Sequence, residues 1–332
     1  MSQPDNTALG LTGLPFDDVK AVLRHFPDCN AAIAADARAR MADLAADDVP
    51  LGRLASLGPW LAGWKGNRQP RLERIELAIY AALAAPHDDA EAQENARNRL
   101  TLLAAGGHPA NIMCLRHGVG LKVYDLALDV PHSDYRSAPA LSEEDCAATM
   151  AFGMEAIVSE PDLLCLARFG AGGEAAATAL AAVLHPELAE DLLAGLAVAD
   201  RVHARTGMNQ HQGQSDPFEL MRRFGSRDMA AIVGSILAAR TQGVPVVLDG
   251  FVPLVAAAVL HAASDSNIAH CLLATPGSVA QQRLAAALGL VPLVQDEAVG
   301  EGVGALLAVP LLRAAADVLA HSVTQADVAA AG

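Results

Sequence analysis

The chain has 332 residues, which suits two domains or one large α/β domain with an appendage. Hydrophobic residues make up 52% and charged residues 18%, which excludes a disordered chain, and aromatics at 4% beside abundant alanine favour packed helices over a β-sandwich. Twenty-three Lys and Arg against 38 Asp and Glu give a net charge of −15 with no basic run, so nucleic acid and anionic membrane are poor partners.

Met1–Asn6 lacks the basic and apolar regions of an export signal. Residues from Pro15 to Gly63 place apolar positions at helical spacing, with Pro27, Pro50 and Pro59 as breaks, and predict two or three amphipathic helices. Trp60 and Trp64 share one helical face and read as packing anchors. Ile75–Ala81 predicts a strand. His87, Asp88 and Asp89 follow it, but adjacent loop residues seldom converge on one ion without a third ligand, and no metal site is assigned. A polar helix then runs through Arg97 and Arg99 until Gly106-Gly107-His108-Pro109 breaks it, and Gly120–Leu128 predicts a second strand.

Ser142 before Glu143, Glu144 and Asp145 reads as a helix N-cap with an acidic first turn. The third strand, Asp162–Ala167, enters Arg168-Phe169-Gly170-Ala171-Gly172-Gly173-Glu174 and then an alanine-rich helix over residues 175–183. Strand, glycine turn and helix can present backbone N–H groups to an anion, although the same turn also serves as a plain connection. The segment from Ala194 to Ser215 carries His203, Arg205 and His211; with His185 these suggest a metal, but no i, i+4 pair with a carboxylate occurs and the segment reads as a polar linker. Helices follow from Asp216-Pro217 and from Ser226 to Arg240. The apolar run Met229–Ala239 is too short to span a bilayer. Gly243–Gly250 is a buried strand that ends in Asp249-Gly250, a helix spans Leu254–His261, and Leu290–Val294 is expected as the last strand. Asp249 at the carboxyl end of a parallel strand either faces a ligand crevice or caps a turn. Strands separated by helices imply a parallel sheet with helices on both faces. The five cysteines are scattered and never form CxxC, so they read as reduced thiols of a cytoplasmic protein.

Near the end stands Val299-Gly300-Glu301-Gly302-Val303-Gly304, leading into an Ala/Leu-rich helix. Its glycines permit φ > 0 and close approach of a ligand, and they hold one carboxylate in bare backbone at a helix entrance. Glu301 is the candidate general base; the alternative is a solvated acid in a tight turn.

Together, Phe224-Gly225-Ser226-Arg227-Asp228-Met229-Ala230-Ala231, Leu248-Asp249-Gly250-Phe251, the Gly300–Gly304 loop, Leu51-Gly52-Arg53-Leu54 and Trp60-Leu61-Ala62 resemble the nicotinate-nucleotide:dimethylbenzimidazole phosphoribosyltransferase family, over about residues 13–330. The resemblance implies an α/β fold with a Rossmann-like parallel sheet flanked by helices. Residues 71–310 would form this large domain, and residues 1–70 and 311–332 a small helical one. It implies a cytoplasmic homodimer that uses no metal and no cofactor. Such an enzyme moves the phosphoribosyl group of nicotinate mononucleotide to a ring nitrogen of 5,6-dimethylbenzimidazole, in assembly of the cobalamin lower ligand. Glu301 matches the family's general base. Arg168, Gly170, Gly172 and Gly173 fall on its phosphate loop, and Asp249, Gly250, Gly300 and Gly302 on further substrate-binding positions. The loop departs from the usual GEMGIGNT pattern, with Arg168 in the acidic position and Gly173-Glu174 in place of Asn-Thr. Further departures fall at residues 82–93, 192–205 and 274–278. They leave open a second reading, a catalytically inactive family member with a structural or regulatory binding role.

Overall fold

Helices and strands alternate along the chain, so every strand can lie parallel to its neighbours. The computed structural model describes residues 15–46, 50–87, 89–130, 132–155, 157–295 and 300–331. The expectations for Met1–Asn6, Asp88 and Val299 lie outside the described residues. Helices α1 (Pro15–Leu23), α2 (Ala31–Ala46) and α3 (Leu54–Lys65) come first, then β1 (Ile75–Ala81), α4 (Ala90–Ala104), α5 (Pro109–His117) and β2 (Val119–Asp125). Next come α6 (Glu143–Glu155), β3 (Leu163–Phe169), α7 (Gly173–Leu184), α8 (Ala189–Ala194), α9 (Val198–Gln210), α10 (Pro217–Phe224) and α11 (Arg227–Thr241). The chain closes with β4 (Val246–Leu248), α12 (Phe251–Ala263), β5 (Cys271–Leu273), α13 (Val279–Ala287), α14 (Val303–His321) and α15 (Gln325–Ala331).

The strands form one parallel sheet in the order β2-β1-β3-β4-β5. Alternate side chains go to opposite faces, and both faces are covered. Ala78, Tyr80, Leu164, Leu166, Val246 and Leu248 join α6, α7, α11 and α12 on one side. Ile75, Leu77, Ile79, Cys165 and Val247 join α3, α5 and α14 on the other. Helices α6 and α11 cross at Gly153 and Gly234, where an added Cβ would strike the backbone carbonyls of Ala231 and Met150.

Helix α14 is long and apolar enough to cross a membrane by composition, but half of that stretch is buried inside the molecule. Its Leu306, Val309 and Leu312 pack on the sheet, and Leu319 joins Ala37, Met41, Leu44 and Ala62 of α2 and α3. Trp64 is indeed an anchor: it is buried, with the Arg240 guanidinium 4.4 Å over its ring. Trp60 is partly buried, packs against the core on the α14 side of the sheet and donates to the Ala269 carbonyl at 3.2 Å.

Two expectations differ. Most of the segment expected as a linker is helix α9, because Ala204 and Gly207 bury against the core, with Gly207 held close to Tyr135 and Phe224. The last strand is β5, at Cys271–Leu273, whereas Leu290–Val294 contributes one isolated bridge, Leu273 to Pro292. Proline has no N–H to extend that ladder, so only Leu293 and Val294 donate across it, to Leu273 and Ala274.

Candidate active site

Strand order reverses between β1 and β3, and in doubly wound sheets ligands bind outside the strand carboxyl ends at such a point. Two cavities open there. The larger, about 710 Å³, is lined by Arg168, Glu174, Asp249, Gly250 and Glu301 among others. The smaller, about 360 Å³, is lined by His87, Asn95 and Arg99. Phe169, Gly170 and Glu301 belong to both, so Glu301 stands where the two meet.

The loops after β1 and β3 continue to pair beyond the sheet, Ala82 donating to Phe169 and Ala84 to Ala171. That closeness explains the glycines. At Gly170 (φ 130) and Gly172 (φ 82) a Cβ would strike the carbonyls of Ala82 and Ala84, and at Gly173 it would come within 2.8 Å of Arg168 Nη2. Gly172 is the N-cap of α7, whose first turn carries Glu174.

Arg168 lies at the end of β3 rather than in the turn. Each nitrogen of its guanidinium makes a contact: Nε donates to Asp228 Oδ2 at 2.5 Å, Nη1 to the Gly170 carbonyl at 2.6 Å and Nη2 to the Ala82 carbonyl at 3.3 Å. Asp228 is completely buried and also accepts from Ser226 Oγ and the Met229 amide. Arg168 therefore neutralises a buried carboxylate and braces the glycine loop.

Asp249 follows β4 and is 1% exposed. It lines the larger cavity from below, with the N-terminus of α14 against it. The Gly304 amide donates to Oδ2 at 3.1 Å, while Oδ1 has no hydrogen-bond partner among the described residues. A Cβ at residue 304 would lie 2.5 Å from Oδ1, so glycine there admits the carboxylate. Burial pushes the Asp249 carboxyl up to about 6; the amides of Ala305, Gly302 and Gly304 pull it down, and the Glu301 charge pushes it up. Gly250 (φ 102) starts α12, and Gly302 (φ 90) packs onto Leu77, which would lie 2.5 Å from a Cβ there. Gly300 has open space around its Cα.

Glu301 sits between these glycines at φ 55, a left-handed angle unusual outside glycine. Its carboxylate accepts from Arg99 of α4, at 2.5 Å on Oε1, and from His108 Nε2 at 3.0 Å on Oε2. His108 caps α5, with its Nδ1 accepting the Ala110 amide at 3.2 Å, so a neutral ring carries its proton on Nε2 and donates it to Glu301. Sequence reasoning missed both partners. His108 beside Pro109 carried an N-cap signal that could have placed it at a helix entrance; nothing local pointed Arg99 at Glu301, 202 positions away.

Two outcomes follow. Arg168→Ala leaves Asp228 buried without its cation and is expected to cost about 3–5 kcal/mol in chemical denaturation, whereas a surface arginine would cost far less. Asp249 contributes stability that is full below its unfolded value near 3.9 and lost as pH rises through about 6, worth about 3 kcal/mol. Asp249→Asn should therefore flatten the fall in unfolding free energy between about pH 4 and 6; an unchanged slope would show that Asp249 titrates normally.

Comparisons with known proteins give the family. A family model described as phosphoribosyltransferase matches residues 26–329. A nicotinate-nucleotide:dimethylbenzimidazole phosphoribosyltransferase of Agrobacterium fabrum is 41% identical over 330 residues, covering 93% of each chain. One of Sinorhizobium fredii is 41% identical and covers 93% of this chain and 95% of its own. The crystal structure of the Thermus thermophilus protein described by the same activity superposes with a TM-score of 0.79 at 27% identity, over 90% of this chain and 98% of that one. The chain belongs to the nicotinate-nucleotide:dimethylbenzimidazole phosphoribosyltransferase family.

Proposed function

We propose that the protein transfers the phosphoribosyl group of nicotinate mononucleotide to 5,6-dimethylbenzimidazole, with Glu301 as general base, as a cytoplasmic homodimer. The observation that carries this reading is the position of Glu301, at the meeting of two cavities at the sheet's switch point. The names of the relatives, at 41% identity, support the substrate pair. The five cysteines are free thiols, which supports a reducing compartment.

The chemistry asks little of the protein beyond placement. A pyridinium is already a good leaving group, so the site must align the ring nitrogen with the anomeric carbon and remove the benzimidazole N–H proton. The attacking nitrogen forms the new C–N bond as nicotinate departs with the electron pair of the old one, and the N–H proton passes to the carboxylate. Glu301 has the required chemistry, and Arg99 and His108 hold it in place until a substrate N–H competes for the same oxygens. Phe169, Phe251 and Val252 supply apolar surface for a flat bicycle. The N-terminus of α7 offers its amides to phosphate, but Glu174 in the same first turn opposes that charge, and Arg168 is already neutralised by Asp228. Phosphate binding therefore rests mainly on backbone amides in this chain.

Glu301→Gln should leave folding and calorimetric binding of both substrates intact and lower the transfer rate by on the order of 10²–10⁴, read by chromatography of the ribosylated base. Equal rates would remove Glu301 as the base. Failure of the unaltered protein to bind either substrate would overturn the transferase reading and leave the inactive family member.

A further inference from the structure

Beside the glycine loop, at the cavity wall that His87 supplies and away from the direct partners of Glu301, three side chains from two distant segments converge. His87 follows β1, and Asp200 and His203 lie three residues apart on one face of α9. Each offers a ligand atom, and no two of these atoms are more than 4.8 Å apart. His87 Nε2 is 2.9 Å from Asp200 Oδ1, and His203 Nδ1 is 3.8 Å from that same oxygen. His203 Nδ1 is shielded from solvent and has no hydrogen-bond partner among the described residues.

We propose that His87, Asp200 and His203 form a binding site for a divalent transition ion of the zinc type. The donor set, two imidazoles and one carboxylate, is one that zinc takes with a position left open. The spacing also fits: metal–ligand bonds of about 2.0–2.1 Å in a tetrahedron place donor atoms about 3.3 Å from one another, between the two separations seen here. A hydrogen bond between His87 and Asp200 accounts for that pair alone. It leaves the shielded His203 nitrogen without a partner, whereas an ion satisfies all three.

The site opens onto a third cavity, of about 320 Å³, lined by His87 and Asp200 together with Arg168 and the Gly170–Ala175 segment. The same cavity is bordered by Gly172 and Gly173 at the start of α7. An ion at the site would also fasten α9 to the loop after β1, two segments that diverge from the family's pattern. His87 also lines the smaller cavity that Glu301 borders, but ion binding is read without any transfer reaction, so its outcome is separable from the reading of Glu301.

The test is titration of chelator-treated full-length protein with Zn²⁺ by calorimetry, and with Co²⁺ by visible absorption. The expected result is one saturable ion per chain at micromolar affinity or tighter, a four- or five-coordinate Co²⁺ spectrum, and a thermal midpoint raised by several degrees. His87→Ala and His203→Ala should each weaken binding at least 100-fold, and Asp200→Asn at least 10-fold. His261→Ala, which removes a histidine paired with His185 elsewhere on the surface, should change nothing. Far-UV circular dichroism of each apo variant checks its fold, and Asp200→Asn keeps the assay decisive should either alanine variant fail to fold. Absence of saturable binding, or binding that survives His203→Ala or Asp200→Asn, would overturn the site.

Discussion

The constraint on which the site depends is the burial of the Asp249 carboxylate against the first turn of α14. Strand β4 ends by placing that acid 1% exposed under the sheet's edge, and the Gly304 amide donates to it. Because residue 304 is glycine, the helix start can approach closely enough for this contact. Gly302 rests on Leu77 of β1 in the same way. The loop between is thereby fixed to two strands, and Glu301 is presented at the meeting of the two cavities. A helix N-terminus normally favours an anion, and here it partly offsets the cost of a buried carboxyl whose desolvation still prevails.

The charges around the cleft are arranged to hold structure first. Arg168 is spent on Asp228 and on two loop carbonyls, and Arg99 and His108 are spent on Glu301. The cations that a nucleotide would meet are therefore already paired. The exposed Glu174 adds a negative charge at the amide-rich start of α7. Recognition of a phosphoribosyl group then depends on backbone amides and on exchange of Glu301's partners for substrate. Exchange of the Arg99 contact costs little, because Arg99 and Glu301 are part-exposed and ion pairs of that kind contribute little.

Much of this was legible in the sequence where local chemistry decides. Ile75–Ala81 is a strand because its run is apolar enough for a sheet buried on both faces, and Glu301 stood out because three glycines surround it. Helix α9 was hidden because its burial rests on small residues, Ala204 and Gly207, whose contacts with Tyr135 and Phe224 are tertiary. Reading that stretch as a linker also concealed the Asp200–His203 pair, which shares a face only on a helix. Strand β5 was missed because three residues carry too little pattern, and the Leu290–Val294 run imitated it. Arg168 does line the cleft, but its pairing with Asp228 could not be read locally because the two are 60 positions apart.

The most direct measurement is a crystal structure of the protein with 5,6-dimethylbenzimidazole. The account predicts the ring between the two cavities, one nitrogen about 2.6–3.2 Å from a Glu301 oxygen, with the Arg99 or His108 contact to that oxygen released. A base bound elsewhere, or a Glu301 still joined to both partners with the ring out of reach, would contradict it.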